Sequence, residues 1–147
     1  MTIRFKQFLF PCVVTLQLFG QAMSTAWAGK PPSSLDGQLE RGIAAAQACE
    51  IELDDDLTAY GECVGHAADR LSRQPHSRVG LHFQAWLIAD LAARQGSTRS
   101  AQLRLGYQQA LERGLRRSKV NLQLLCKIKN LDCAPVNQRL GQKLGSN

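Results

Sequence analysis

From Leu35 onward the apolar residues recur every three or four positions, and that period restricts the chain to helices. Leu39, Ile43, Ala46 and Cys49 mark one such face. Leu57, Tyr60, Val64, Ala67 and Leu71 mark a second, and Leu103, Tyr107, Ala110, Leu111 and Leu115 a third. Val120, Leu124, Ile128 and Leu131 mark a fourth. Strand signals do not compete: there is no alternating β-branched run and no Asn-Gly hairpin. The expected fold class is all-α, a single up-and-down bundle of about five helices stapled by two disulfides. The helices are expected at 35–50, 55–73, 78–95, 98–117 and 119–130.

The punctuation supports these boundaries. Ser33 with Asp36 fits a capping box for the first helix, and the run Asp54-Asp55-Asp56 suits the positive end of the second. A calcium role for that run lacks the glycine-centred loop and bidentate glutamate of an EF-hand. Gln74-Pro75-His76-Ser77 reads as a turn, and Gly96 as a stop before a start at Ser97 or Thr98. Between them, nine of the 11 residues from Phe83 to Ala93 are apolar, which marks the third helix as the central, buried one. After Cys133-Ala134-Pro135 a short turn of helix is expected before the chain frays.

The N-terminus has the layout of a secretory signal peptide over residues 1–28. Arg4 and Lys6 precede a mostly apolar stretch from Phe8 to Phe19, and Ala26-Trp27-Ala28 forms a small-x-small cleavage site before Gly29. A spanning helix needs about 20 apolar residues, and this run is shorter with Pro11 inside it. Pro11 before Cys12 also does not suit a lipidated N-terminus. The expected organisation is signal peptide 1–28, extended leader 29–34, helical domain 35–140 and flexible tail 141–147, in a periplasmic or secreted protein without a transmembrane segment after cleavage.

Cleavage removes one of five cysteines and leaves Cys49, Cys63, Cys126 and Cys133. An even number in an oxidising compartment reads as two disulfides with three possible pairings, and sequence neighbours favour Cys49–Cys63 and Cys126–Cys133. Neither spacing is that of a C-x-x-C redox motif or a zinc finger.

Charge is divided along the chain. Residues 30–90 carry a net charge of −5 and residues 91–147 a net charge of +9. Arg113, Arg116, Arg117, Lys119, Lys127 and Lys129 form the strongest surface feature, a candidate partner-binding basic patch. Cations near a helix C-terminus are also favoured without any partner. An exported chain lacking interleaved exposed aromatics is not expected to bind nucleic acid. An envelope protein or an anionic surface fits better.

Other candidate chemistry is sparse. Glu62 and His66 share a helix face but lack a third metal ligand, and read as solvated surface. His82, on the apolar side of the central helix, reads as a hydrogen-bonded core histidine. Asp90 in an apolar helix fits either a general acid with a raised pKa or an i, i+4 bridge to Arg94, and the bridge is the expectation. Trp86 and Tyr107 read as core rather than a ligand cavity. Both methionines lie in the signal peptide, and C-x-x-C-H, Gly-x-Ser-x-Gly, Walker and HExxH patterns are absent, so no catalytic set, metal or cofactor is expected.

Ala85-Trp86, Gly96, Ala101, Tyr107 and Ala110-Leu111 together resemble one tetratricopeptide-type helical hairpin, about 30 residues long. Two extra residues lie between Ala101 and Ala110, and no second copy recurs at about 34-residue spacing. The resemblance implies a helical hairpin and no function. By elimination, the expected role is an exported non-enzymatic binding or accessory protein of the cell envelope that recognises a protein partner. One alternative is a small peptidoglycan-type hydrolase with an acid among Glu50, Glu52 and Glu62. Another is an acid-responsive periplasmic chaperone using His66, His76 and His82. N-terminal sequencing of the exported protein should begin at Gly29; an intact Met1 contradicts the signal-peptide reading.

Overall fold

A computed structural model describes residues 32–141, and each stretch expected to be helical contains helix. The expected signal peptide, the start of the leader and residues 142–147 of the tail lie outside the described residues. Six α-helices and a 3-10 turn follow among the described residues, without a strand: α1 (Leu35–Ala48), the 3-10 turn (Cys49–Glu52), α2 (Thr58–Arg70), α3 (Pro75–Arg94), α4 (Thr98–Ser118), α5 (Leu122–Ile128) and α6 (Cys133–Leu140). The expected count was five. The sixth is the short segment after Cys133, which Asp132 turns into a capped helix by accepting from the Ala134 N–H at 3.1 Å.

Caps account for most of the boundary shifts. Ser34, not Ser33, starts α1, because its Oγ reaches the Gly37 N–H at 3.1 Å. Helix α2 begins at Thr58 rather than 55 because the three aspartates precede the helix and fold back onto it. Asp56 Oδ1 accepts from the Thr58 N–H at 3.0 Å, and Asp54 Oδ2 from the Ala59 N–H at 3.3 Å. Between them Leu57 has φ 59°, a left-handed conformation that costs about 1–2 kcal/mol and is held by burial of its side chain. Residues 75–77 are helical, not a turn, since Pro75 occupies the first helical position, where a missing N–H costs nothing. Asn121 caps α5 through the Gln123 N–H at 2.9 Å and so resets its phase. Its buried stripe becomes Leu122, Leu125 and Cys126, while Leu131, expected inward, is exposed.

Helix α3 is the centre of the bundle, as its apolar run implies. Val79, Leu81, Phe83, Ala85, Trp86 and Ala89 are all buried. Its partner on one side is α4, which returns antiparallel: Val79 lies against Gly114, and Asp90 pairs with Arg104. On the other side α1 runs in the same direction, with Gln38 meeting His76 and Glu50 meeting Gln84. Leu122, Leu125, Val136 and Leu140 from α5 and α6 complete the core. Cys49–Cys63 ties the 3-10 turn to α2 with the Cα atoms 5.6 Å apart, and Cys126–Cys133 ties α5 to α6 at 5.5 Å. A loop the size of the first is worth about 3 kcal/mol. No helix among the described residues is long and apolar enough to cross a membrane.

The α1–α3 contact is made by glycines. A Cβ on Gly42 would overlap the Ser77 carbonyl oxygen and lie 2.7 Å from the Leu81 nitrogen; one on Gly80 would overlap the Leu39 carbonyl oxygen. Backbone cannot move aside as a flexible side chain does. Gly65, in α2, faces open space. Gly42→Ala or Gly80→Ala should therefore cost at least about 3 kcal/mol in chemical denaturation, whereas Gly65→Ala should stabilise by about 0.5–1 kcal/mol. Equal effects at the three positions would contradict the close crossing.

Candidate functional site

Two charge arrangements sit at opposite ends of the α3–α4 hairpin. At the end near the α3 C-terminus, Asp90 is 1% exposed and holds three arginines. Arg94 Nε lies 3.3 Å from Oδ2, Arg139 Nε of α6 lies 3.0 Å from the same oxygen, and Arg104 Nη1 of α4 lies 3.5 Å from Oδ1. The Oδ2 contacts are ion pairs rather than aligned hydrogen bonds. Arg139 also lies over the Trp86 ring, 5.9 Å from its centroid. The expected bridge to Arg94 is present, but Arg104 and Arg139 were not legible because they lie 14 and 49 positions further on. A carboxylate enclosed by three guanidiniums ties α3, α4 and α6 together and has no free face for proton transfer to a substrate.

At the other end the cations have no acid among them in the described residues. Arg78 and His82 of α3, one helical turn apart, face Arg113 and Arg117 of α4, also one turn apart. They line a cleft of about 150 Å³, with Ser118 at its edge. The cleft exists because α3 and α4 approach closely beneath it: a Cβ on Gly114 would lie 2.9 Å from Val79 Cγ2. Among the described residues, Arg78, Arg113 and Arg117 form no ion pair, and His82 forms no hydrogen bond. His82 is therefore a wall of the cleft rather than the hydrogen-bonded core histidine expected. Burial holds its pKa down, and the Arg78 and Arg113 charges lower it further, to about 4.

The six-residue basic patch is thus divided. Arg113 and Arg117 enter the cleft, while Arg116 turns to Glu112, 4.0 Å away. Lys119 is exposed in a left-handed conformation (φ 53°) at the end of α4. Lys127 is exposed on α5, and Lys129 lines a separate groove with Glu40, Ile43 and Ile128. Arg78 was missed because it sits in the acidic half of the sequence, 35 positions before Arg113. Only the antiparallel pairing of α3 with α4 brings them together.

The remaining candidates are spread out. His66 and Glu62 are both exposed, and no group of three metal-ligating side chains occurs among the described residues. His76 Nδ1 donates to Gln38 Oε1 at 3.0 Å, joining α3 to α1. Gln84 donates to Glu50 at 2.6 Å. Burial raises the Tyr60 phenol far above its ordinary pKa, with Tyr107 and Glu50 adding, and pushes Tyr107 up to about 12. Trp86 is fully buried in the core with Tyr107 packed against it. A second groove of about 360 Å³ near the α2 N-terminus is floored by Leu57 and Ile88, with Leu53 and Leu91 half-exposed.

No known protein family, no curated protein and no solved structure matches this chain.

The depressed His82 pKa has a consequence for stability. Below its unfolded-state value near 6.5 the unfolded chain binds a proton that the folded chain rejects down to about pH 4. This group therefore makes stability fall as pH drops from about 6.5 to about 4. Denaturation midpoints of the wild type and His82→Gln should diverge across that window, with the variant the flatter; parallel curves would contradict the cleft electrostatics.

Proposed function

We propose that this chain is an exported, non-enzymatic helical binding or accessory protein of the cell envelope, recognising a protein partner through the basic end of the α3–α4 hairpin. The observation that carries this reading is the convergence of Arg78, Arg113 and Arg117 on one cleft where no carboxylate among the described residues pairs with them. These arginines are exposed, so solvent and salt screen their mutual repulsion, and their shared positive field favours an anionic visitor. Two disulfides fit a compartment where thiols oxidise, and the half-exposed Leu53 and Leu91 fit a surface used by other molecules.

The alternatives draw less support. A peptidoglycan-type hydrolase needs two carboxylates facing across a cleft. Asp90 is enclosed by arginines, Glu50 is bonded to Gln84, and neither Glu52 nor Glu62 lines any cleft described above. An acid-responsive chaperone working through its histidines needs them to charge between pH 7 and 5, and His82 resists protonation to about pH 4.

In-cell photo-crosslinking from Lys119 separates the readings. A discrete envelope protein should be captured there and not from His66, and Arg113→Glu with Arg117→Glu should abolish the capture. Capture indifferent to that reversal, or clearing of a peptidoglycan gel by the purified protein, would contradict the proposal.

A further inference from the structure

The dimensions of the cleft narrow the chemistry of what it takes. A volume of about 150 Å³ suits one or two small oxyanion groups rather than a sugar chain or a folded surface. Guanidiniums on two facing helices can approach such a group from both sides, and their planar donor sets match the two oxygens of a carboxylate. Ser118 at the cleft edge offers a hydroxyl. Among the described residues no acidic side chain lines the cleft to compete for these donors.

We propose that this cleft is a carboxylate site, in which Arg78, Arg113 and Arg117 grip the acidic side chains of a partner polypeptide while His82 takes up a proton. The inference rests on the reading of this end as a partner-binding surface and adds to it the chemical group recognised and a coupled protonation.

The coupling follows from the charges around His82. The groups that face it are Arg78 on its own helix and Arg113 across on α4, with Arg117 lining the same space. Both of the first two disfavour the imidazolium, as does burial, and together they hold the free protein's value near 4. A carboxylate in the cleft offsets the arginines and offers the imidazolium an acceptor, so the bound-state value lies higher. By reciprocity, binding tightens as pH falls through the bound-state value and levels off below about 4. The partner's own carboxylates protonate near pH 4, so the useful window lies between about pH 4.5 and 7. Should His82 regain its ordinary value on binding, affinity at pH 5.5 would exceed that at pH 7.5 by about tenfold.

The test uses the purified, disulfide-intact protein and a short Asp-rich peptide, with the same peptide carrying Asn at every Asp and inorganic phosphate as the other arms. Anisotropy should show binding of the Asp peptide alone, and NMR should show the His82 ring titrating at higher pH when it is bound. Arg113→Gln should weaken binding about tenfold, while Arg116→Gln, on the same helix but outside the cleft, should change it by less than about twofold. His82→Gln should keep the binding and lose its pH dependence. Equal losses from the two arginine variants, an unmoved His82 titration, or binding of phosphate in preference to the peptide would overturn the assignment. Arginine-dependent capture in cells that survives such a failure would sink the carboxylate site and keep the partner reading. Peptide binding without any captured protein would do the reverse.

Discussion

The backbone contact between α1 and α3 is the constraint from which the rest of the structure follows. Gly42 and Gly80 let one helix rest on the carbonyls of the other, Ser77 in one direction and Leu39 in the reverse. With the helices this close, Leu39 and Ile43 join Val79 and Phe83 in one buried cluster, and the opposite side of α3 is left to meet α4. Because α3 carries both Asp90 and the Arg78–His82 pair, fixing it fixes both ends of the charge arrangement. An alanine in place of either glycine pushes helix axes apart, which no side-chain rotation can absorb.

The two ends of the hairpin show the same residue type used in opposite ways. Around Asp90, arginines from three helices meet a buried carboxylate, and the arrangement closes on itself. Around His82 the arginines meet nothing of opposite sign among the described residues. A buried pair adds little net stability over an apolar replacement, but removing one member is costly, so the Asp90 cluster mainly enforces which helices meet. The other end holds no such lock: its arginines are exposed, water and salt screen their mutual repulsion, and they stay available to an anionic ligand.

Much of this was legible in the sequence where one element explains itself. The three- and four-residue period identified Leu39, Ile43, Tyr60, Val64, Leu111 and Leu115 as buried, and the apolar run from Phe83 placed the central helix. The favoured cysteine pairing was legible because each bridge closes a short loop. What stayed hidden belongs to contacts between elements. A helical glycine carries no mark of the carbonyl that will rest on it. Arg78 lies in a net acidic segment, and Arg139 sits far beyond its carboxylate. The phase of α5 was misread because Asn121 starts the helix three positions later than the periodicity alone implies. Likewise, six cations close in sequence looked like one patch, yet α4 directs Arg113 and Arg117 toward α3 and Arg116 toward Glu112.

The central claim is that Arg78, His82, Arg113 and Arg117 form one anion-receiving cleft. A crystal structure of the protein grown with an Asp-rich peptide at about pH 5.5 addresses it most directly. A peptide carboxylate is expected between Arg78 and Arg113, within hydrogen-bond distance of both guanidiniums. A peptide seated instead along Lys119, Lys127 and Arg116, with the cleft holding none of its carboxylates, would contradict it.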